Sequence, residues 1–386
     1  MSNTLTNLIP DVIVGLETVS REMVGLIPRV ARSSTAERSA KGTTVRSPVA
    51  PKQTAGAITT AATAPAISDN TYTNRTISLS NLYATRWHYE GEEQAALRLT
   101  GVYSSLFAQN VAQAMRALVT EIETDLAELY YNACRAYGTQ GTTPFASDLS
   151  PLSACKAMLD KNGAPGADRH LVMSNEAAYT MRNLTQLTNV NQSGTSKVLV
   201  EGSFMNIMGF DLAESAYIQT HTAGDSTGQD VNGGDTAGTT SITFHGASGN
   251  VLAGDIISIA TGDDTGPGGS TNKYVVTTAV DTSGELVIGS PGLLNEWADT
   301  TEIALNTNDY VANLAFHRNF LALATRPPMK PEGGDAATDD VVVTDPVSGL
   351  SFLLSVYPGY HTNQYELSVL WGVGTGNPEQ GVILMG

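Results

Sequence analysis

Apolar positions along the chain change their period several times, and each change marks a different element. Over residues 8–31, Ile9, Val12, Ile13, Leu16, Val19, Met23, Leu26 and Ile27 recur at helical spacing, and Pro10 suits a first helical turn. Residues 32–70 carry Ala, Thr, Ser and Pro with almost no large apolar side chains. Such a segment cannot bury enough surface to fold alone, so it reads as a linker or as an arm that orders against neighbours. From Arg75 to Tyr89 the pattern alternates, with Ile77, Leu79, Tyr83, Trp87 and Tyr89 on one face of an extended strand. Residues 42–90 then form one long excursion, two extended limbs joined near Ser68-Asp69-Asn70. Beyond it Phe107, Val111, Met115, Leu118, Ile122, Leu126 and Leu129 keep helical spacing, and Gly138 lies past the end. A helix over about 103–137 would be ~50 Å long at 1.5 Å rise per residue. That length implies a scaffold role, with an extension back to Glu92 broken near Gly101.

A compact α/β stretch follows. Pro151–Lys161 reads as a helix capped by Ser150 and closed by Asn162-Gly163, Arg169–Ser174 as a strand, and Asn175–Gln186 as a helix. Residues 198–218 read as strands around Gly209-Phe210-Asp211. Residues 219–309 differ in kind: Lys273 is their single basic residue, and short β-rich runs (Ser241–Phe244, Asp255–Ala260, Tyr274–Val280, Glu285–Ile288) alternate with Gly-rich turns. They read as a small all-β insert whose flanks, Leu212–Ile218 and Tyr310–Phe316, pair and bring its ends together. Strands near 341–343, 350–357 and 365–373 close the chain.

Composition narrows the function classes. With 386 residues, 41% hydrophobic and 15% charged, the chain is globular and long enough for two or three cores. A net charge of −17 is unlike a phosphate-gripping protein. It suits either a lining that repels packed DNA or plain solubility at high concentration. Cys134 and Cys155, both read as helical, make no disulfide framework. No secretory signal or membrane span is visible, which places the protein in a cytoplasm or assembled there.

Catalytic motifs are missing. No Gly-rich run ends in Gly-Lys-Ser or Gly-Lys-Thr, and Gly246-Ala247-Ser248-Gly249 has the wrong spacing for a nucleophile elbow and reads as a hairpin turn. His88, His170, His221, His245, His317 and His361 are scattered, and the Asp/Gly runs 225–235 and 261–269 only loosely resemble calcium loops. No catalytic, cofactor or metal residue is therefore assigned. The acidic run Glu121, Glu123, Asp125 and Glu128 reads as a solvated face, or one that meets basic groups of an adjoining subunit. Trp87, with Arg75, Arg86 and Tyr89, suits an inter-subunit contact or an ordinary strand core equally.

Two stretches flank the insert, Gly209-Phe210-Asp211-Leu212-Ala213-Glu214-Ser215 and Asn313-Leu314-Ala315-Phe316-His317-Arg318. The second continues through Ala322-Leu323-Ala324-Thr325-Arg326-Pro327, and Leu370-Trp371-Gly372-Val373 lies near the end. Together with the order of elements, they make the chain resemble the tailed-phage coat proteins of the Hong Kong 97 fold, and within it the podophage family whose A-domain carries an inserted β domain. The resemblance implies an α+β fold and a division into N-terminal arm (1–41), E-loop (42–91), P-domain spine helix (92–150), first part of the A-domain (151–218), inserted β domain (219–309) and the A- and P-domain remainder (310–386). It also implies a major capsid protein, not an enzyme, that forms hexamers and pentamers of an icosahedral shell around double-stranded DNA. A scaffolding protein and a portal are the further partners, with a decoration protein as an optional one, and the location is the virion capsid, assembled in the host cytoplasm. Lys52 lies in the E-loop, but no crosslinking motif matches, so no crosslink is expected. A β-rich tail-fibre or adhesin shares the loop chemistry but not the long helix. A hydrolase with a β accessory domain lacks its nucleophile.

Overall fold

The helical stripe at the centre of the chain organises the core. The structure, a computed structural model, describes residues 22–34, 37–53, 55, 57, 60, 69–189, 191, 197–204, 206–260, 264–280, 284–345 and 347–386. Helix α1 (Gly91–Leu99) and helix α2 (Tyr103–Ala127) are separated at Gly101, whose positive φ of 74° breaks the run where the sequence places a break. Met115, Leu118, Val119, Ile122 and Leu126 are buried on one side of α2. Each such side chain contributes about 1.5–3 kcal/mol on burial. The helix is shorter than its periodicity suggests: 25 residues, ~37 Å, followed by a 3-10 turn Glu128–Asn132 and a strand Arg135–Tyr137. Arg135–Tyr137 pairs with Gly381–Met385 on one side and Lys273–Val275 on the other, and these long-range ladders outweigh local helix preference.

Two large sheets flank α2. In the first, the 14-residue strand Thr362–Thr375 is central. Asn81–Glu90 covers one edge, and Ser351–Pro358 and Leu321–Arg326 lie end to end along the other. Asp339–Thr344 and Ala31–Ser34 form the next row outward. Leu367, Val369 and Trp371 project from the central strand into the core shared with α2. The second sheet runs, in spatial order, Ile303–Leu305, Ile256–Ile259, Lys273–Val275, Arg135–Tyr137, Gly381–Met385, Tyr310–His317, Arg169–Met173 and Phe210–Glu214. Helix α3 (Ser150–Lys161) and helix α4 (Asn175–Arg182) cover its far end through a second core built on Leu152, Met158, Leu171 and Met181.

Residues 230–305 have a third core of their own, where Phe244, Tyr274 and Trp297 pack among Ile242, Ile257 and Leu286. Its ends meet because Thr220–His221 pairs with Tyr310–Val311. The expected direct pairing of Leu212–Ile218 with Tyr310–Phe316 does not occur; Arg169–Met173 lies between Phe210–Glu214 and Tyr310–His317.

Several local expectations shift. The helix reading of 8–31 falls mostly outside the described residues, and residues 26–30 make a turn before the strand Ala31–Ser34. Helix α3 is opened by Asp148, whose carboxylate accepts the Ser150 N–H at 2.8 Å, and not by Ser150 itself. Helix α4 ends at Arg182, capped at its start by Ser174, and the four residues Thr185–Thr188 form a separate turn. Residues 198–218 hold one strand, Phe210–Glu214, after the short helix Lys197–Glu201. Cys134 lies between the 3-10 turn and a strand, while Cys155 is helical.

Candidate assembly surface

Segments whose backbone edges stay unpaired are where this chain can meet another. Thr44–Val49 and Thr73–Ser78 form a two-stranded antiparallel hairpin, but the alternating stretch Arg75–Tyr89 is not one strand: it breaks after Ser78, and Asn81–Glu90 joins the first sheet instead. Among the described residues the hairpin strands pair only with each other, which leaves their outer edges open. Ile77 anchors the root against Gly372 and Gly374, where any Cβ would press on the hairpin. Lys52 bonds Glu379 at 2.5 Å, and Ser290 bonds the same carboxyl oxygen at 2.7 Å. Burial alone would raise the Glu379 carboxyl, but these two partners outweigh it and hold the group below its ordinary value. One carboxylate thus joins the loop end of the hairpin, residue 290 and the segment before the C-terminal strand.

The arm is seated by a second carboxylate. Glu123 is buried on α2 and accepts the backbone N–H groups of Gly25 (2.7 Å), Leu26 (2.7 Å) and Ile27 (3.0 Å), with the Ser215 hydroxyl at 2.8 Å. Three consecutive N–H groups turned onto one anion form a nest. Leu26, Ile27 and Val30 then enter the main core. Arg116 adds a bidentate pair to Glu22 and holds its carboxyl down at about 2. The solvated reading of the acidic run therefore fails at two of four positions. Glu123 is enclosed, and Asp125 accepts from Trp371 Nε1 (2.7 Å) and Asn81 Nδ2 (2.6 Å). Glu121 and Glu128 are exposed. A sequence signal for Glu123 existed: it falls four residues after Val119 and three before Leu126, on the apolar stripe.

Titratable groups elsewhere serve packing. The Tyr130 hydroxyl meets His221 Nδ1 at 2.7 Å, and His221 Nε2 meets Asp255 at 2.8 Å, a hydroxyl–imidazole–carboxylate chain that sequence spacing did not reveal. Asp255 also accepts the N–H groups of Gly224 and Leu252, and burial pushes the Tyr130 hydroxyl up to about 12, away from nucleophilic use. The chain ties residues 221–255 to the end of α2. His317 bonds Gln380, His170 lies 3.4 Å from Asp211 with its pKa lowered by burial, and His245 is exposed. His88 is half-buried and His361 exposed.

The two Asp/Gly runs also do structural work. Asp264 is buried and accepts from Asn272, Tyr274, Asn295 and Trp297. Asp225 accepts the Asn250 N–H, and residues 261–263 lie outside the described residues. Gly246-Ala247-Ser248-Gly249 is no simple hairpin turn, because Ser248 bridges to Thr227. Among the described residues no group of three ligating side chains could hold a metal ion. Trp87 belongs to an internal aromatic cluster, stacked on Tyr365 at 5.8 Å beside Phe107, while Arg86 pairs with Glu366. Arg75 alone of that group faces a groove at the hairpin root.

No family model matches the chain, and no curated protein matches it. Among solved structures it is similar to a chain from Mycobacterium phage Che8, with 12% identity over 99% of this chain and 98% of that one and a TM-score of 0.50. A structure titled as the capsid of cyanophage P-SCSP1u gives 12% identity, 100% and 94% coverage and a TM-score of 0.49. The asymmetric unit of the bacteriophage PhiM1 mature capsid gives 11%, 99% and 91%, and 0.48. At such identities the likeness is one of fold, and it extends over almost the whole of both chains in the first case. The α+β Hong Kong 97 architecture expected from the order of elements is the architecture of this chain.

Proposed function

We propose that the chain is a major capsid protein, which assembles with copies of itself into the icosahedral shell around the double-stranded DNA of a tailed phage. The observation that carries this reading is the near end-to-end sharing of fold with a phage protein. The geometry agrees with it: a long helix braces two sheets, a two-stranded hairpin leaves its outer edges unpaired among the described residues, and one buried carboxylate seats residues 25–27. Extended elements of this kind bury large areas between copies once assembled.

In this reading residues 1–41 are the arm, 42–91 the E-loop, 92–150 the spine, 151–218 the first part of the A-domain, 219–309 the inserted domain and 310–386 the remainder. The role is structural and not enzymatic. Hexamers and pentamers of the chain are its first partners, a scaffolding protein and a portal the next, with a decoration protein as an optional addition. Its place is the virion capsid, assembled in the host cytoplasm. Purified full-length chain, followed by light scattering and negative-stain microscopy with rising concentration, should yield closed shells or shell fragments. Elongated trimers would replace this reading with a fibre protein, and a monomer at all concentrations would overturn it.

A further inference from the structure

A groove of about 600 Å³ opens at the hairpin root, between the hairpin, the strand Ala31–Ser34 and the ends of Leu321–Arg326 and Thr362–Thr375. Arg32, Arg46 and Arg75 line it around an apolar floor that includes Val45, Ile77 and Leu323, and no Asp or Glu is among its lining residues. Among the described residues none of the three guanidinium groups is in an ion pair; Arg32 donates to the Ser348 carbonyl at 3.1 Å. Glu379, next to the lining residue Gln380, is already engaged by Lys52 and Ser290. Repulsion among them is a small cost in a lone subunit, because Arg32 and Arg46 are exposed to solvent and the charge of Arg75 also acts on Glu379. An anionic occupant removes that cost.

The 219–309 segment of the same chain carries twelve carboxylates, and Lys273 is its single Lys or Arg. Within it Glu296, Asp299 and Glu302 are exposed inside seven residues. Their loop is already ordered: Asp299 accepts the Gly233 N–H at 2.8 Å, and Trp297 exchanges both backbone bonds with Asp235 at 2.8 Å. A pre-ordered loop docks with little further entropy loss.

We infer that the arginine groove of one copy receives the acidic loop 296–302 of a second copy. This rests on the capsid reading and names the partner of its hairpin. The apolar floor favours a peptide over a nucleic-acid backbone, whose phosphates gain nothing from Val45, Ile77 and Leu323. The contact is between unlike surfaces, so it runs head to tail through successive copies rather than ending at isolated pairs.

The test uses the full chain. Arg46→Glu with Arg75→Glu should raise the concentration needed for assembly at least tenfold, or on that order, and wild-type assembly should weaken steeply with salt. Glu296→Lys with Glu302→Lys, combined with the arginine reversals, should restore assembly, a rescue that misfolding would not produce. Circular dichroism and melting of the unassembled chains check that each variant folds. Loss of assembly without rescue overturns the inference. So do variants that assemble like the wild type, and so does their loss of binding to a short DNA duplex with assembly intact, which would assign the groove to phosphate. A wild type that assembles beside unaffected variants leaves the capsid reading standing, whereas a wild type that never assembles overturns both.

Discussion

Glu123→Ala removes the acceptor of four hydrogen bonds at a position with no exposure, leaving the N–H groups of Gly25, Leu26 and Ile27 and the Ser215 hydroxyl without a partner. A hydrogen bond to a charged group is worth about 1.5–3 kcal/mol, but four bonds to one carboxylate do not add, and losses beyond ~5 kcal/mol are exceptional for one substitution. We predict a loss of about 4 kcal/mol. With an unfolding entropy of about 2.1 cal/mol/K per residue over this chain, that shifts Tm by ~5 °C.

Glu123→Gln should cost less, about 2 kcal/mol. Its carbonyl can stand in for the oxygen that serves Gly25, Leu26 and Ser215, while its amide meets only the Ile27 N–H. Thermal unfolding of the unassembled subunit gives the first readout. Trypsin cleavage at Arg29 and Arg32 gives the second, since the arm should detach before the body unfolds. Unchanged Tm and unchanged cleavage in the alanine variant would refute the reasoning, and so would a glutamine variant more damaged than the alanine one.

Four further outcomes are expected. Leu118→Asp or Ile122→Asp places an unpaired charge in the main core, a cost of several kcal/mol, and should abolish soluble protein; normal yield would show that the stripe is not buried in solution. Burial pushes both cysteine thiols up to about 12, so neither should react with a thiol reagent at pH 8 until denaturant exposes them, and rapid native labelling would contradict their placement. Glu22 is depressed from 4.5 to about 2 by Arg116, so its contribution is present above pH 4.5 and lost as pH falls through about 2. Acid-unfolding curves of wild type and Arg116→Gln should differ above pH 4.5 and converge near pH 2; a constant gap throughout would sink the pairing. Finally, the fragment 219–309 contains its own core and should melt cooperatively as a β-rich monomer, whereas a random-coil spectrum would make it dependent on the body.

Local periodicity carried much of this fold. The α2 stripe, the break at Gly101, the hairpin limbs and the closing strands are all within reach of spacing arguments, because each element buries a repeating face. What spacing could not see is pairing across long separations. Leu129 continues the helical period, yet Arg135–Tyr137 is drawn into a sheet by strands more than a hundred residues away. The acidic run looked uniform by composition, and only the return of residues 25–27 and of Trp371 separates Glu123 and Asp125 from their exposed neighbours. The arginine groove was equally hidden, since its three guanidinium groups come from three strands that meet only in space.

Because Glu123 reads main-chain N–H groups, side-chain changes in the arm act on its core packing and leave the donors of this anchor in place. Almost any residue at 26 or 27 still offers the donor, and only proline withdraws it. Gly25 is the exception on steric grounds, since a Cβ there would lie 2.6 Å from the Glu214 carbonyl. The attachment is therefore divided: one helix position governs the hydrogen bonds, while apolar side chains at 26, 27 and 30 supply the burial that keeps the arm docked.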